Sequence, residues 1–149
     1  MTPFASFADA GQALAPAAVA ALTSAHPCVI GLNARGAQVA APVAAALGAQ
    51  PVRANVVSVD GEREVHGLPE VAGHEVLVVD DGVESGTAAR LVAARLRNLG
   101  AARIVLAVPV CSAVQVDSMC ETYDALAHLV SSAPGQSLSG HYESFDDLS

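Results

Sequence analysis

"VLVVDDGVESGTA", residues 76–88, is the stretch on which the reading of this chain turns. Four apolar residues, 76–79, run straight into Asp80-Asp81. Gly82, Glu84 and Ser85-Gly86-Thr87 follow, and a helical pattern starts at once. A strand apolar on both faces is what the centre of a parallel sheet requires. A small-residue turn opening a helix leaves backbone N–H groups pointing outward, where they favour an anion.

Working outward, "GTAARLVAARLRNLG" (86–100) predicts a helix with Leu91, Val92, Leu96 and Leu99 on one stripe and Gly100 as terminator. "RIVLAVPV" (103–110) reads as the next strand, followed by a short helix near 112–120 and a strand at "ALAHLV" (125–130). Upstream, "VRANVVSV" (52–59) is a strand. Asp60-Gly61 is a strong hairpin signal that turns "EREVH" (62–66) back on it, and "GLPEVAGH" is a loop. "CVIGL" (28–32) is a buried strand, "NARG" (33–36) a turn and "AQVAAPVAAALG" (37–48) a helix unsettled by Pro42. Residues 8–25 read as helical, with Asp9 as N-cap and a break at Pro16.

Strands alternating with helices predict an α/β fold, a parallel Rossmann-like sheet with helices on both faces. Ligand sites in such sheets lie beyond the carboxyl ends of the strands. Asp80-Asp81 and Asn33 to Gly36 both fall there. The 149 residues suit one domain, with a polar tail over 131–149 in which Tyr142 and Phe145 read as docking anchors or, less simply, as a stacking platform.

Composition removes several functions. There is no lysine, which excludes a P-loop or a Schiff-base enzyme. A net charge of −8 argues against a nucleic-acid surface. Cys28, Cys111 and Cys120 are odd in number and lack CxxC spacing, so they read as free thiols rather than as disulfides or a zinc site. No stretch has the length of a membrane span and the start lacks a signal-peptide pattern, so a cytoplasmic protein with no membrane partner is expected. His26, His66, His74, His128 and His141 are scattered, and each reads as a loop or surface residue.

In the central stretch, Ser85 and Thr87 add hydroxyl donors beside Gly86, and the two aspartates can accept hydrogen bonds from vicinal hydroxyls. A ligand with a phosphate at one end and a diol in the middle is a sugar phosphate, with ribose 5-phosphate the obvious case. A receiver domain also opens on "VLVVDD", but it needs a lysine and carries its acid pair near the start of the chain.

The stretch resembles the 5-phosphoribosyl 1-pyrophosphate (PRPP) motif of type I phosphoribosyltransferases over all 13 residues. "FADAGQALA", "VIGLNARGAQVAAPVAAALGA", "RNLGAARIVLAVPV" and "HYESF" extend the resemblance to bacterial members over most of the chain. It implies the type I phosphoribosyltransferase fold and transfer of the phosphoribosyl group to a nitrogen base with release of pyrophosphate. It implies that Asp80 and Asp81 bind the ribose hydroxyls and that Glu84, Ser85, Gly86, Thr87 and Ala88 hold the 5-phosphate. Ala34, Arg35 and Gly36 would hold pyrophosphate, in a loop that in the family often carries a non-proline cis peptide. Mg2+ would be carried mainly by PRPP with no dedicated protein ligand set, the partner would be a small phosphosugar or nucleotide, and the assembly a homodimer. Two readings stay open for Glu84, a catalytic general base acting on the acceptor or a solvated loop acid; Arg35 reads as a ligand in preference to a surface turn residue.

The chain departs from the family at one place. Family enzymes carry a long flexible loop between strands two and three, with a basic residue after the second strand. Here Val59-Asp60-Gly61 leaves a bare turn. That departure keeps a second expectation alive, a non-catalytic PRPP- or nucleotide-binding regulator on the same fold.

Overall fold

The computed structural model describes residues 4–134 and 136–143. In chain order they form α1 (Phe7–Ala21), β1 (Cys28–Leu32), α2 (Asn33–Ala46), β2 (Val52–Val59), β3 (Glu62–His66) and β4 (Glu75–Val79). Then come α3 (Thr87–Asn98), β5 (Arg103–Ser112), α4 (Val116–Thr122) and β6 (Ala125–Ser132), with 3-10 turns at Ala113–Gln115 and Leu138–His141. The strands form one sheet in the order β3-β2-β1-β4-β5-β6. Every neighbouring pair is parallel except β2 with β3.

All five residues of β4 are buried, and alternation sorts them between two cores. Leu77 and Val79 pack with Ala10, Leu14, Val39 and Val43 of α1 and α2. Val76 and Val78 pack on the other face with Val92, Ala93 and Leu96 of α3 and Met119 of α4. Each such Val or Leu side chain contributes about 1.5–3 kcal/mol on burial. Helices therefore cover both faces, as the pattern predicts.

Several local expectations change. The NARG segment is the first turn of α2, which starts directly at the end of β1, with Asn33 itself at φ 58. No cis peptide bond is present among the described residues. Ser6 rather than Asp9 caps α1, its hydroxyl accepting from the Asp9 N–H at 3.1 Å. Neither Pro16 nor Pro42 ends its helix. Pro16 lies on the exposed face of α1, and the buried row Ala10, Leu14 and Ala18 passes it without interruption, so tertiary packing offsets the lost helical bond. Leu99, placed on the buried stripe of α3, is 48% exposed, because α3 ends at Asn98. β5 and β6 both run two residues longer than the sequence pattern suggests. His141, read as a surface residue, is buried, and its Nε2 has no partner among the described residues.

The hairpin is as tight as the Asp-Gly signal predicts. Asp60 and Gly61 both take positive φ (51° and 82°), and Val59 pairs directly with Glu62. The tail also acquires structure. Phe4 bridges to Tyr142, whose ring centroid lies 4.6 Å from that of Phe7, so the tail is anchored on α1. Phe145 lies outside the described residues.

Candidate functional site

The strand order reverses between β1 and β4, which are hydrogen-bonded neighbours with Gly31 opposite Val79. Their following segments leave the sheet side by side, and this switch point is where open α/β sheets form a crevice. From β1 come Asn33, Ala34, Arg35 and Gly36. From β4 come Asp80 and the loop to Gly86. A cleft of about 400 Å³ lies between them, lined by Asn33, Ala34, Arg35, Asp80 and Asp81.

Two features set that spacing. A Cβ on Gly36 would stand 2.9 Å from the Val79 carbonyl oxygen and 3.1 Å from Asp80 Oδ1. The absence of a side chain is therefore what lets the first turn of α2 rest against the end of β4. Asn33 adds a tie in the other direction, its Oδ1 accepting from the Val56 N–H of β2 at 3.0 Å. The positive end of α2 consequently faces the cleft, which suits an anion.

Asp80 and Asp81 are held in an environment that resists ionisation. Burial raises the Asp80 carboxyl well above the usual carboxylate range, the Asp81 charge raises it further, and Arg35 opposes the shift. Burial likewise raises Asp81, against the hydrogen bond from Asp80 and the pull of Arg35. The Asp81 N–H donates to Asp80 Oδ1 at 2.8 Å, fixing one carboxylate against the backbone of the other. The two acids and Arg35 are thus brought into one cleft, with charge that a hydroxyl-rich or cationic ligand would compensate.

The loop from Gly82 to Ala88 is pinned on three sides. Val83 exchanges backbone hydrogen bonds with the end of β5, to Val110 at 3.0 Å and from Ser112 at 2.8 Å. Gly86 takes φ 80° immediately before α3. Arg90 braces the loop from behind, donating from Nη2 to the Ser85 carbonyl at 2.6 Å and from Nη1 to Gln115 and Ser118 at 3.2 and 3.0 Å. In front, the Ser85 and Thr87 hydroxyls stand 3.1 Å apart and exposed, with the Thr87 N–H on Ser85 Oγ. Ser85, Gly86, Thr87 and Ala88 line a smaller cleft of about 140 Å³ together with Asp80, Glu84 and Arg63.

Glu84 faces two ways. It borders the small cleft and also one of about 410 Å³ reaching Ser112, Ser132, Gln136 and Ser137. Its Oε1 accepts the Leu138 N–H at 2.9 Å. Next to it, the Tyr142 hydroxyl donates to the Asp81 carbonyl at 2.6 Å. Burial, and then the Asp81 and Asp80 charges, push the Tyr142 phenol above its usual range, so it remains a donor. The tail thereby closes over the loop: a Cβ on Gly82 would lie 2.6 Å from Leu138 Cδ2.

Sequence reasoning placed Asp80, Asp81, Arg35 and the 84–88 loop but assigned no role to Asn33, Arg63, Arg90 or Leu138. The hairpin register carries a signal for Arg63, because a two-residue turn after Val59 sets it opposite Ser58. Nothing local marks the reach of Arg90 to Gln115, 25 residues on, or of the Leu138 N–H to Glu84, 54 residues back. Among the described residues no group of three or more His, Cys, Asp or Glu side chains could hold a metal ion. No helix among them is long and apolar enough to cross a membrane.

The fold has solved counterparts. TT1426 from Thermus thermophilus superposes with a TM-score of 0.82 at 22% identity, covering 98% of this chain and 93% of that one. The adenine phosphoribosyltransferase of Thermoanaerobacter pseudethanolicus gives 0.63 at 17% identity, over 85% of this chain and 80% of that one. The purine phosphoribosyltransferase of Pyrococcus horikoshii gives 0.59 at 18% identity, over 86% and 87%. At these identities the likeness carries the type I phosphoribosyltransferase fold alone. No curated protein matches the chain. The phosphoribosyl transferase domain family matches residues 7–132, spanning β1 through β6 with the crevice between them, and the chain belongs to that family.

Proposed function

We propose that the protein binds PRPP and transfers its phosphoribosyl group to a nitrogen heterocycle with release of pyrophosphate. The observation that carries this reading is the convergence of Asp80, Asp81 and Arg35 on one cleft beside the exposed hydroxyl loop before α3. In this reading Asp80 and Asp81 accept hydrogen bonds from the ribose 2- and 3-hydroxyls. The backbone of residues 84–88 with the Ser85 and Thr87 hydroxyls receives the 5-phosphate. Ala34, Arg35 and Gly36, at the positive end of α2, receive the pyrophosphate.

The reaction breaks the bond from the anomeric carbon to pyrophosphate oxygen and forms one to the acceptor nitrogen, whose proton passes to a base. Glu84 fills that role from the wall of the 410 Å³ cleft, where the acceptor sits beside Ser112, Ser132 and Gln136. Stabilising a developing cation at the anomeric carbon and a departing anion is positioning and electrostatics rather than covalent work by the protein. Mg2+ would be held mainly by PRPP itself, beside the ribose hydroxyls that Asp80 and Asp81 contact, since the described residues offer no ligand cluster of their own. Bound there, the ion would neutralise charge on the pyrophosphate.

A second reading, a PRPP- or nucleotide-binding regulator without turnover, is favoured by one observation, the two-residue turn between β2 and β3. A site without a closing loop there excludes water poorly. Calorimetric titration with PRPP and Mg2+, with Asp81→Asn as control, separates the cases. Heat from the native protein that the variant loses supports the site, and pyrophosphate release with added bases then supports transfer. Heat from ribose 5-phosphate alone supports the regulator. Silence with both ligands sinks the reading of the cleft.

A further inference from the structure

We propose that Arg63 is the counter-charge of the phosphate subsite, delivered by the hairpin; this rests on the phosphosugar reading of the cleft given above. The argument starts from strand geometry. β3 returns antiparallel to β2 with Ser58 opposite Arg63 and Val56 opposite Val65. Alternate residues of a strand share a face. Val65 packs on the apolar cluster that holds Ala89, Val92 and Leu96 of α3, so Arg63 leaves the same face, two residues nearer the turn. The turn lies at the end of the sheet where β1 and β4 open into the crevice, and the N-terminus of α3 is there too. The result is that Arg63, from the edge strand, lines the 140 Å³ cleft with Ser85, Gly86 and Thr87. It also lines an adjoining one of about 270 Å³ with Asn33, Ser58 and Ala88.

The other arginines near the crevice have employment elsewhere. Arg90 is committed to the Ser85 carbonyl and α4, and Arg35 acts on the Asp80 and Asp81 charges. Arg63 is exposed, and its guanidinium makes no hydrogen bond or ion pair among the described residues. Its strand neighbours Glu62 and Glu64 alternate to the opposite face, and Glu64 lies 2.8 Å from His66. Without Arg63 the charged side chains lining the small cleft would be Asp80 and Glu84, a poor setting for a phosphate dianion. A planar guanidinium fork supplies the missing charge and can engage two phosphate oxygens. The ligand class this selects is a pentose phosphomonoester over the free sugar or nucleoside. The hairpin thus replaces a flexible basic lid with a single cation on a rigid strand.

Calorimetry with ribose 5-phosphate, at low and moderate salt, on the native protein, Arg63→Gln and Arg63→Lys tests this. The Gln variant is expected to bind about tenfold more weakly and with a flatter salt dependence. The Lys variant is expected to recover part of the affinity and the salt slope. An unchanged affinity in Arg63→Gln overturns the proposal and leaves Arg63 as a charge guarding an exposed edge strand. Should that variant self-associate in sedimentation, Arg63→Glu keeps the edge charged, and unchanged binding there overturns the proposal equally. If the native protein binds neither ribose 5-phosphate nor PRPP, the reading of the whole cleft falls and this inference with it. Native binding that Arg63→Gln retains removes the inference alone.

Discussion

β4 begins on one carboxylate and runs directly into two more, and its two ends treat them in opposite ways. At the start, Glu75 is 7% exposed and fully occupied. It accepts the Thr23 and Ser24 N–H groups at 3.0 and 2.7 Å, the Thr23 hydroxyl at 2.9 Å and Arg103 Nη1 at 2.5 Å. Burial acts to raise its pKa, but these donors together overcome burial and hold it below the usual range. At the other end Asp80 and Asp81 are raised, with burial as the leading cause and no comparable set of donors. One acid ties α1 to the bottom of the sheet. The other two stand in a cleft with bonding capacity left for something that is not protein. Only residues 76–79 separate a group that stabilises the fold from a pair that costs the fold stability and faces the cleft.

That contrast can be broken by mutation. The largest effect is expected at the structural end. Glu75→Ala strands Arg103 and removes the acceptor of the Thr23 and Ser24 N–H groups, and should lower unfolding free energy by about 3 kcal/mol in urea titration. PRPP affinity per folded molecule should be unchanged. A comparable loss of binding would mean the two ends are not independent.

Gly36→Ala comes next. The added Cβ meets the Val79 carbonyl and Asp80, and should cost roughly 2 kcal/mol of stability. In contrast to Glu75→Ala it should also weaken PRPP binding, because Arg35 and Asp80 move apart. Retained affinity in the calorimeter would show that the spacing of the crevice is not critical.

Asp80→Asn should go the other way in stability, raising it by about 1 kcal/mol at neutral pH while weakening PRPP binding. The sign follows from proton linkage. A raised folded-state pKa means the folded form keeps its proton where the unfolded chain has lost it. Stability therefore falls as pH rises from about 4 through the raised value, and the amide removes that fall. Glu75, shifted downward, contributes stability present above the ordinary glutamate range and lost as pH drops through its lowered value. Urea midpoints across pH for native protein, Asp80→Asn and Glu75→Gln should separate the two slopes. Identical profiles in all three would erase the contrast.

The smallest effect is expected from Tyr142→Phe, which removes the hydroxyl from the Asp81 carbonyl but keeps the contacts to Phe4 and Phe7. A loss of about 1 kcal/mol measured by thermal unfolding would fit a tail that serves mainly as an anchor. A larger fall in PRPP affinity than in stability would make it part of the site.

The legible part of this molecule is what short-range pattern encodes. The EVLVV run announces a central strand, Asp-Gly announces the hairpin, and the acid pair followed by Ser-Gly-Thr announces the loop that opens α3. What was missed depends on partners far along the chain. Asn33 to Gly36 read as a turn, yet they open α2, and the closeness of Val79 and Asp80 is what requires glycine at 36. Pro16 reads as a break until the buried face of α1 is seen to continue beneath it. The Arg90 contacts to Gln115 and Ser118 and the Leu138 contact to Glu84 have no local signature, since each joins segments brought together by the sheet.

The Asp60–Gly61 turn has a consequence for engineering and for ancestry. A Cβ at Gly61 would meet nothing within 4 Å, so the hairpin tip projects into open space. Lengthening a surface loop is thermodynamically mild, about 0.6 kcal/mol per doubling. The tip is therefore a natural graft point, where a mobile segment of a dozen residues could be installed or deleted without disturbing the sheet beneath. Gain and loss of such a segment would let one scaffold trade between an open crevice and a covered one by changes confined to a single bend.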